Sequence, residues 1–171
     1  MNKKYLVPVS NNLEANSIQR NVGRNCLWKE VSIVSYNLPL LSKLSISENL
    51  MLPLNYIKRM SIKKSEHIVF DLLEKFGLEH TLHHRQKRLN DYETLIIKYL
   101  RAIMLFPKHI IFIMPNNMIQ LENYEEFIHF INTINDFTVT IVEHKNFSSY
   151  YTDTDYMEIN KKQWQTHVLG I

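Results

Sequence analysis

The feature that most constrains this fold is the run His109-Ile-Ile-Phe-Ile-Met114, taken together with the helix pattern that leads into it. The run is apolar and β-branched without alternation, so a strand built from it must be covered on both faces. That is the situation of a parallel sheet between layers of helices. Upstream, Asn90 stands at an N-cap position with Glu93 three residues on, a capping-box arrangement. Leu95, Ile96, Tyr99, Leu100, Ile103 and Met104 then recur at helical spacing. Pro107 ends the helix, and Pro115 with Asn116-Asn117 closes the strand.

The remaining chain extends this pattern. Tyr5–Val9 is predicted as a short strand, placed at a sheet edge by Pro8. Residues 10–25 are polar and Asn-rich, and are expected to form a loop with at most one helical turn. Val31–Tyr36 alternates as a strand, followed by a turn at Asn37-Leu38-Pro39. Ser45 or Ser47 caps a helix that Pro53 kinks. Lys58–Lys64 is a basic connector, and Ser65–Phe76 is an amphipathic helix with Gly77 in the C′ place. Tyr124–Ile134 forms a further helix, and Phe137–Val142 a second buried strand ending at Glu143-His144. A short helix at Phe147–Tyr151 and a final strand at Tyr156–Ile159 complete the order. Strands alternating with helices specify an α/β domain with a mostly parallel sheet, here a single domain over residues 1–171.

Composition narrows the function classes. A net charge of +3 is too small to point to nucleic acid as a partner. The lone cysteine, Cys26, excludes an internal disulfide framework and a multi-cysteine zinc site, and suits a reducing compartment. No apolar run approaches the roughly 18 residues that a membrane-crossing helix needs. The three glycines, Gly23, Gly77 and Gly170, fall in no phosphate-loop or dinucleotide-binding pattern. A glycine-rich loop, in which backbone N–H groups close in on a phosphate, is therefore excluded.

Several strings, in order, resemble an ABC-transporter ATPase domain, a P-loop NTPase, over about Lys29 to Trp164. Ser45-Ile-Ser-Glu-Asn-Leu-Met-Leu-Pro-Leu54 is similar to the start of the helical subdomain after the glutamine loop. Leu72-Leu-Glu-Lys-Phe-Gly-Leu-Glu-His80 and Leu82-His-His-Arg85 resemble the run before the signature motif. Arg101-Ala102, Pro107-Lys108 and the strand ending in Pro115 keep the spacing from signature to Walker B, and His144 resembles the switch histidine. The strings look most like the lipoprotein-releasing, macrolide-export and cell-division types, with the lipid-trafficking MCE-associated type as an alternative. The resemblance implies a three-layer P-loop-NTPase-like domain. Its helical subdomain and signature-like helix span about 45–105, and its α/β core about 29–44 and 106–164.

The residues that carry the family's chemistry are not kept. At the positions the resemblance assigns, Tyr36 replaces the glutamine-loop glutamine, and Leu89-Asn90-Asp91-Tyr92-Glu93 replaces Leu-Ser-Gly-Gly-Gln. Ile113 and Met114 replace the Walker B aspartate and catalytic glutamate, and the dimer-interface aspartate falls near Gln120. Without a carboxylate at 113 a magnesium ion loses its acidic anchor, and Met114 cannot polarise water. Asp91 and Tyr92 bring charge and bulk where two glycines would approach a partner's phosphate. The Walker A segment is expected to lie before residue 1. Phe137–Val142 would then be a bare edge, to be covered by Tyr5–Val9, by a second copy or by another protein.

The resemblance and these losses together lead to the expectation of a pseudo-ATPase without ATP or magnesium as working cofactors. It would dock on an ABC permease or a second ABC ATPase, with a homodimer as a further option, at the cytoplasmic face of a membrane. The docking residues on this reading are Tyr36, Leu38, Leu40, Leu41 and Leu44; His144 is the one position left that could touch a nucleotide. The alternatives are a subunit retaining weak nucleotide binding, and a stand-alone interaction domain or decayed gene product. No metal site is expected at His80, His83 and His84, and Arg85, Lys87 and Arg88 are expected to be a solvated loop. Cys26 is expected to be inert, and Trp28 and Trp164 to serve in packing or an interface.

Overall fold

The computed structural model describes residues 3–26 and 30–170. Its sheet has the order β2-β3-β4-β1-β5, with every neighbouring pair parallel. The strands are β1 (Lys4–Val9), β2 (Val31–Ser35), β3 (His109–Ile113), β4 (Thr138–His144) and the two-residue β5 (Met157–Glu158). One face carries α1 (Asn12–Asn25) and the short α6 (Lys161–Trp164), packed on Tyr5, Val7, Val9, Ile111, Ile113 and Val142. The other carries α4 (Asp91–Ile103) and α5 (Tyr124–Thr133). Further out lie α2 (Ile46–Leu52) and α3 (Ile62–Lys75), all in one continuous apolar cluster. All residues of β3 are buried, as their unbroken apolar character requires.

Most helix ends follow the sequence signals, but α3 begins three residues earlier than expected, because Ser61 caps it inside the stretch taken for a connector. Asn90 Oδ1 accepts the Glu93 N–H at 2.8 Å while Glu93 Oε2 accepts the Asn90 N–H at 2.9 Å. Ser45 and Glu48 form the same reciprocal pair at the start of α2. Pro53 opens a π-helical turn, Pro53–Ile57, because its ring cannot join the α-helical ladder. Gly77 takes φ 65° just past α3, the left-handed conformation that a helix terminator needs.

Two expectations at the amino terminus are overturned. Residues 10–25 are not a loop: Asn11 caps a 14-residue helix, α1, whose Ala15, Ile18 and Val22 are buried. Those apolar residues are too sparse to announce a helix, but they fall on one stripe and the sheet covers it, so tertiary burial outweighs weak propensity. Pro8 does not mark an edge either, since β1 lies between β4 and β5. Leu6 turns its carbonyl toward β5, accepting the Ile159 N–H at 2.9 Å. Pro8, two residues on, has the same sense, so its missing N–H falls where the pairing with β5 has already ended.

β1 also corrects the expectation that the strand-and-helix unit beside β4 lies outside the chain. It pairs with β4 from Lys4↔Val139 to Val9↔His144 and runs through a two-residue turn, Ser10-Asn11, into α1. The β4 edge is thereby covered by Tyr5–Val9, the first of the three options. The α/β core accordingly includes residues 4–25 besides the segments assigned from sequence.

A buried polar relay lies on the α1 and α6 face of the sheet. Trp164 Nε1 donates to Thr140 Oγ1 at 2.9 Å, and Thr140 lies 2.8 Å from His109 Nε2. The hydroxyl accepts from the indole and shares a hydrogen bond with the imidazole. Burial holds the His109 pKa down at about 4. Trp164 is fully buried and serves packing; Trp28 lies outside the described residues.

Candidate functional site

In open α/β sheets ligands meet the carboxyl ends of the strands. Here those ends, together with the start of α1, form a cleft of about 440 Å³ between Asn12, Asn16, Ser35, Tyr36, Asn37, Ile113, Met114 and Asn117. Its lining carries no charged side chain. It is knitted by amides instead: Asn37 Nδ2 donates to Asn16 Oδ1 at 2.8 Å, and Asn117 Nδ2 to Asn12 Oδ1 at 3.1 Å. Beneath them Ser35 Oγ is 2.8 Å from Gln19 Oε1.

The start of α1 is where a strand–loop–helix unit would present open N–H groups to a phosphate. In this chain two of the N–H groups there, those of Ser10 and Glu14, are bonded to side chains of the same segment. Asn11 Oδ1 accepts the Glu14 N–H at 2.9 Å, and Glu14 Oε2 accepts the Ser10 N–H at 2.9 Å. His144 Nδ1 accepts the Asn146 N–H at 3.2 Å, which leaves the proton on Nε2, 3.0 Å from the Ser10 carbonyl. The residue in the switch-histidine position thus ties the end of β4 to the turn after β1. The helix start carries the Glu14 carboxylate, and the lining of the cleft holds neither a cationic side chain nor an acidic one.

At the end of β3, Ile113 is buried in the α1-side core and Met114 sits at φ 51°, a left-handed conformation that strains a residue with a side chain. Two contacts hold it there: the Met114 N–H bonds the Val142 carbonyl at 2.8 Å, and the thioether is buried among the core residues under α1. Next to it stands a carboxylate that no local sequence pattern singles out. Glu143 Oε2 accepts from Tyr124 Oη at 2.6 Å and from the Asn116 N–H at 3.2 Å, and Oε1 accepts from the His144 N–H at 2.7 Å. Tyr124 Oη lies 2.8 Å from Tyr151 Oη, so the protons run Tyr151 to Tyr124 to Glu143. Burial dominates and pushes the Glu143 pKa up to about 7 despite the three donors.

The other sequence-derived residues separate into groups. Leu89, Asn90, Asp91, Tyr92 and Glu93 form the capped start of α4, with Leu89 and Tyr92 resting on the core and Asp91 exposed. Tyr36, Leu38 and Leu41 are 65%, 39% and 51% exposed and Leu44 is half-buried, so these form a surface around the turn after β2. Leu40 does not belong to that surface: at 3% exposure it is a core residue, held down where Asn49 bonds the Leu41 backbone. His80 faces Glu93, Nε2 to Oε1 at 3.2 Å, a carboxylate partner that linear spacing does not suggest. Among the described residues no group of three or more His, Cys, Asp or Glu could hold a metal. Arg85, Lys87 and Arg88 are exposed or half-exposed, and Cys26 is half-buried with its thiol pKa raised by burial.

Besides Glu143, the residue missed from sequence is Lys98, which is 5% exposed. A signal for it exists: a lysine inside the apolar run Leu95–Leu100 breaks the face it sits on. No helix among the described residues is long and apolar enough to cross a membrane.

Two solved structures of the ATP-binding cassette MJ0796 are similar to this chain. A dimeric post-hydrolysis state bound to ADP and Pi matches with a TM-score of 0.70 at 15% identity, covering 92% of this chain and 80% of that one. A dimeric structure of the same bacterial ABC transporter cassette matches with a TM-score of 0.67 at 16% identity, covering 88% and 79%. No protein-family model and no curated protein matches the sequence. At these identities the likeness is one of fold, and the chain has the P-loop-NTPase-like α/β fold of an ABC ATPase cassette.

Proposed function

We propose that this chain is a non-hydrolysing, cassette-like subunit that works by docking on a membrane permease or a second cassette at the cytoplasmic face of a membrane. The transport type whose strings it resembles is that of lipoprotein release, macrolide export and cell division. The observation that carries the reading is the start of α1, where Asn11 and Glu14 take up the Glu14 and Ser10 N–H groups and the Glu14 carboxylate stands where a phosphate would approach. Ile113 and Met114 support it, since both are buried apolar side chains where a metal carboxylate and a catalytic base would stand. With the chemistry gone, what the fold offers a complex is its surface. Mg-ATP at millimolar concentration should leave the melting temperature unchanged and release no phosphate. A saturable upward shift would overturn the reading in favour of a subunit that still binds nucleotide.

The docking surface is the turn after β2, with Leu38 and Leu41 as its apolar centre. Arg101 fixes that turn from below, donating to the Pro39 carbonyl at 2.9 Å and the Leu38 carbonyl at 3.1 Å. A pre-formed turn loses little conformational freedom on binding. Leu41→Asp should abolish co-purification with a permease while changing stability by less than about 0.5 kcal/mol, as befits an exposed site. Retention of the permease by this variant shows that the surface is misplaced.

A further inference from the structure

Lys98 projects from the middle of α4 into the interior with no acidic partner among the described residues. Its Nζ donates to the Ser35 carbonyl at 2.9 Å, lies 4.0 Å from Met118 Sδ and stands 5.9 Å from the Tyr36 ring centre. A carbonyl, a thioether and a ring face soften the burial of a cation, but none of them neutralises it. Burial and the nearby Arg101 lower the amine's pKa to about 8, so at neutral pH it is still charged. The other charges nearby do not answer it. Arg101 on the same helix is turned onto backbone carbonyls, Lys87 is a second cation, and Asp91 lies exposed on the first turn of the helix.

The amine's residue lines a cleft of about 930 Å³ between α4, the turn after β2 and the segment 116–120. The same cleft is lined by the neutral amides of Asn116, Asn117 and Gln120 and, toward its mouth, by the charged Lys87 and Asp91. Ser42 and Gln86 add neutral polar groups. An uncompensated cation on the wall of a cleft lined mostly by neutral polar side chains defines a complementary ligand, a small anion.

We propose that this cleft binds a small organic anion, a carboxylate or phosphate ester, with Lys98 as its counter-ion. The site lies on the α4 side of the sheet, apart from the amide-lined cleft at α1. It stands whether or not the chain hydrolyses ATP. A cleft of this size is within the range of ordinary small-molecule sites.

The test is binding of glutamate and of glycerol 3-phosphate to the full chain, by calorimetry and thermal shift, with inorganic sulfate as the control for an anion without an organic body. One of the two organic anions should raise the melting temperature by about 5 °C at a hundredfold excess over its Kd. Which one does so identifies the carboxylate or the phosphate class. Lys98→Met should weaken binding about 100-fold or more, and Lys98→Arg should restore most of it. The unliganded Lys98→Met protein should melt higher than the wild type, the opposite of what a purely structural lysine predicts. On the wild-type protein, affinity should fall about tenfold per unit of pH above the amine's pKa, an arm that needs no variant. Absence of binding by both organic anions at millimolar concentration overturns the proposal, and so does equal binding by Lys98→Met and wild type.

Discussion

Glu143→Gln should lose stability as the pH falls from about 6.5 to about 4, by about 3 kcal/mol, while His109→Gln should gain a similar amount as the pH falls from about 7 to about 4.5. The signs come from the two buried groups. His109 is held neutral, with its pKa depressed to about 4, so the unfolded chain takes up a proton before the folded one does. Its stabilising effect is present above 6.5 and is lost as the pH drops through the folded value. Glu143 has its pKa raised to about 7, so the folded chain takes up a proton first. Its stabilising effect is complete below the unfolded value of about 4.5 and is lost as the pH rises through 7. In the wild type the two slopes oppose each other between about 4.5 and 6.5, so the protein's stability is nearly flat there with respect to these groups. Each substitution leaves an amide, which does not titrate, and so uncovers the slope of the other residue. Denaturant melts of the three proteins at pH 4.5, 5.5 and 6.5 decide it; parallel profiles would show that the two groups do not titrate in this window.

Tyr124→Phe should destabilise the fold by about 2–4 kcal/mol at pH 8, against about 1 kcal/mol for Tyr151→Phe. Both lose one phenol, yet their positions in the relay differ. The Tyr124 hydroxyl stands 2.6 Å from the carboxylate of Glu143 and 2.8 Å from the Tyr151 hydroxyl, so removing it strips a buried charge of its shortest donor and orphans a second phenol. Removing the Tyr151 hydroxyl leaves the carboxylate with all three of its donors. The Tyr124→Phe penalty should shrink as the pH is lowered toward 5, because protonation removes the charge that the donor stabilised. Equal costs for the two variants at pH 8 would refute the relay.

Much of the architecture is legible in local patterns. The buried strand at His109–Ile113, the capping pairs Asn90–Glu93 and Ser45–Glu48, the end of α3 at Gly77 and the turn after β2 all depend on residues within a few positions of one another. α1 is not legible in this way, because three apolar residues on an Asn-rich segment make a helix only when a sheet covers them. With α1 taken for a loop and β1 for an edge strand, the strand–turn–helix unit beside β4 has no place within the chain, although it begins at Lys4. The candidate site divides along the same line. The apolar residues Ile113 and Met114, the absence of a glycine loop and the Asn11-x-x-Glu14 spacing are present in the sequence, whereas the tie of His144 to Ser10 across the chain is not.

Local sequence alone settles which segments are strands buried on both faces, where most helices begin and end, and that no phosphate loop of glycines is present. Those properties rest on periodicity, capping and backbone freedom, which act over one or two helical turns. The strand order, which puts β1 between β4 and β5, is settled only when the whole chain packs. So are the meetings of residues far apart in the chain: His144 with Ser10, Glu143 with Tyr124, and Lys98 with Ser35. A charged residue in an apolar run is costly to bury, and that much is local. Which partner offsets the cost depends on sheet register, set by the packing of whole faces against one another.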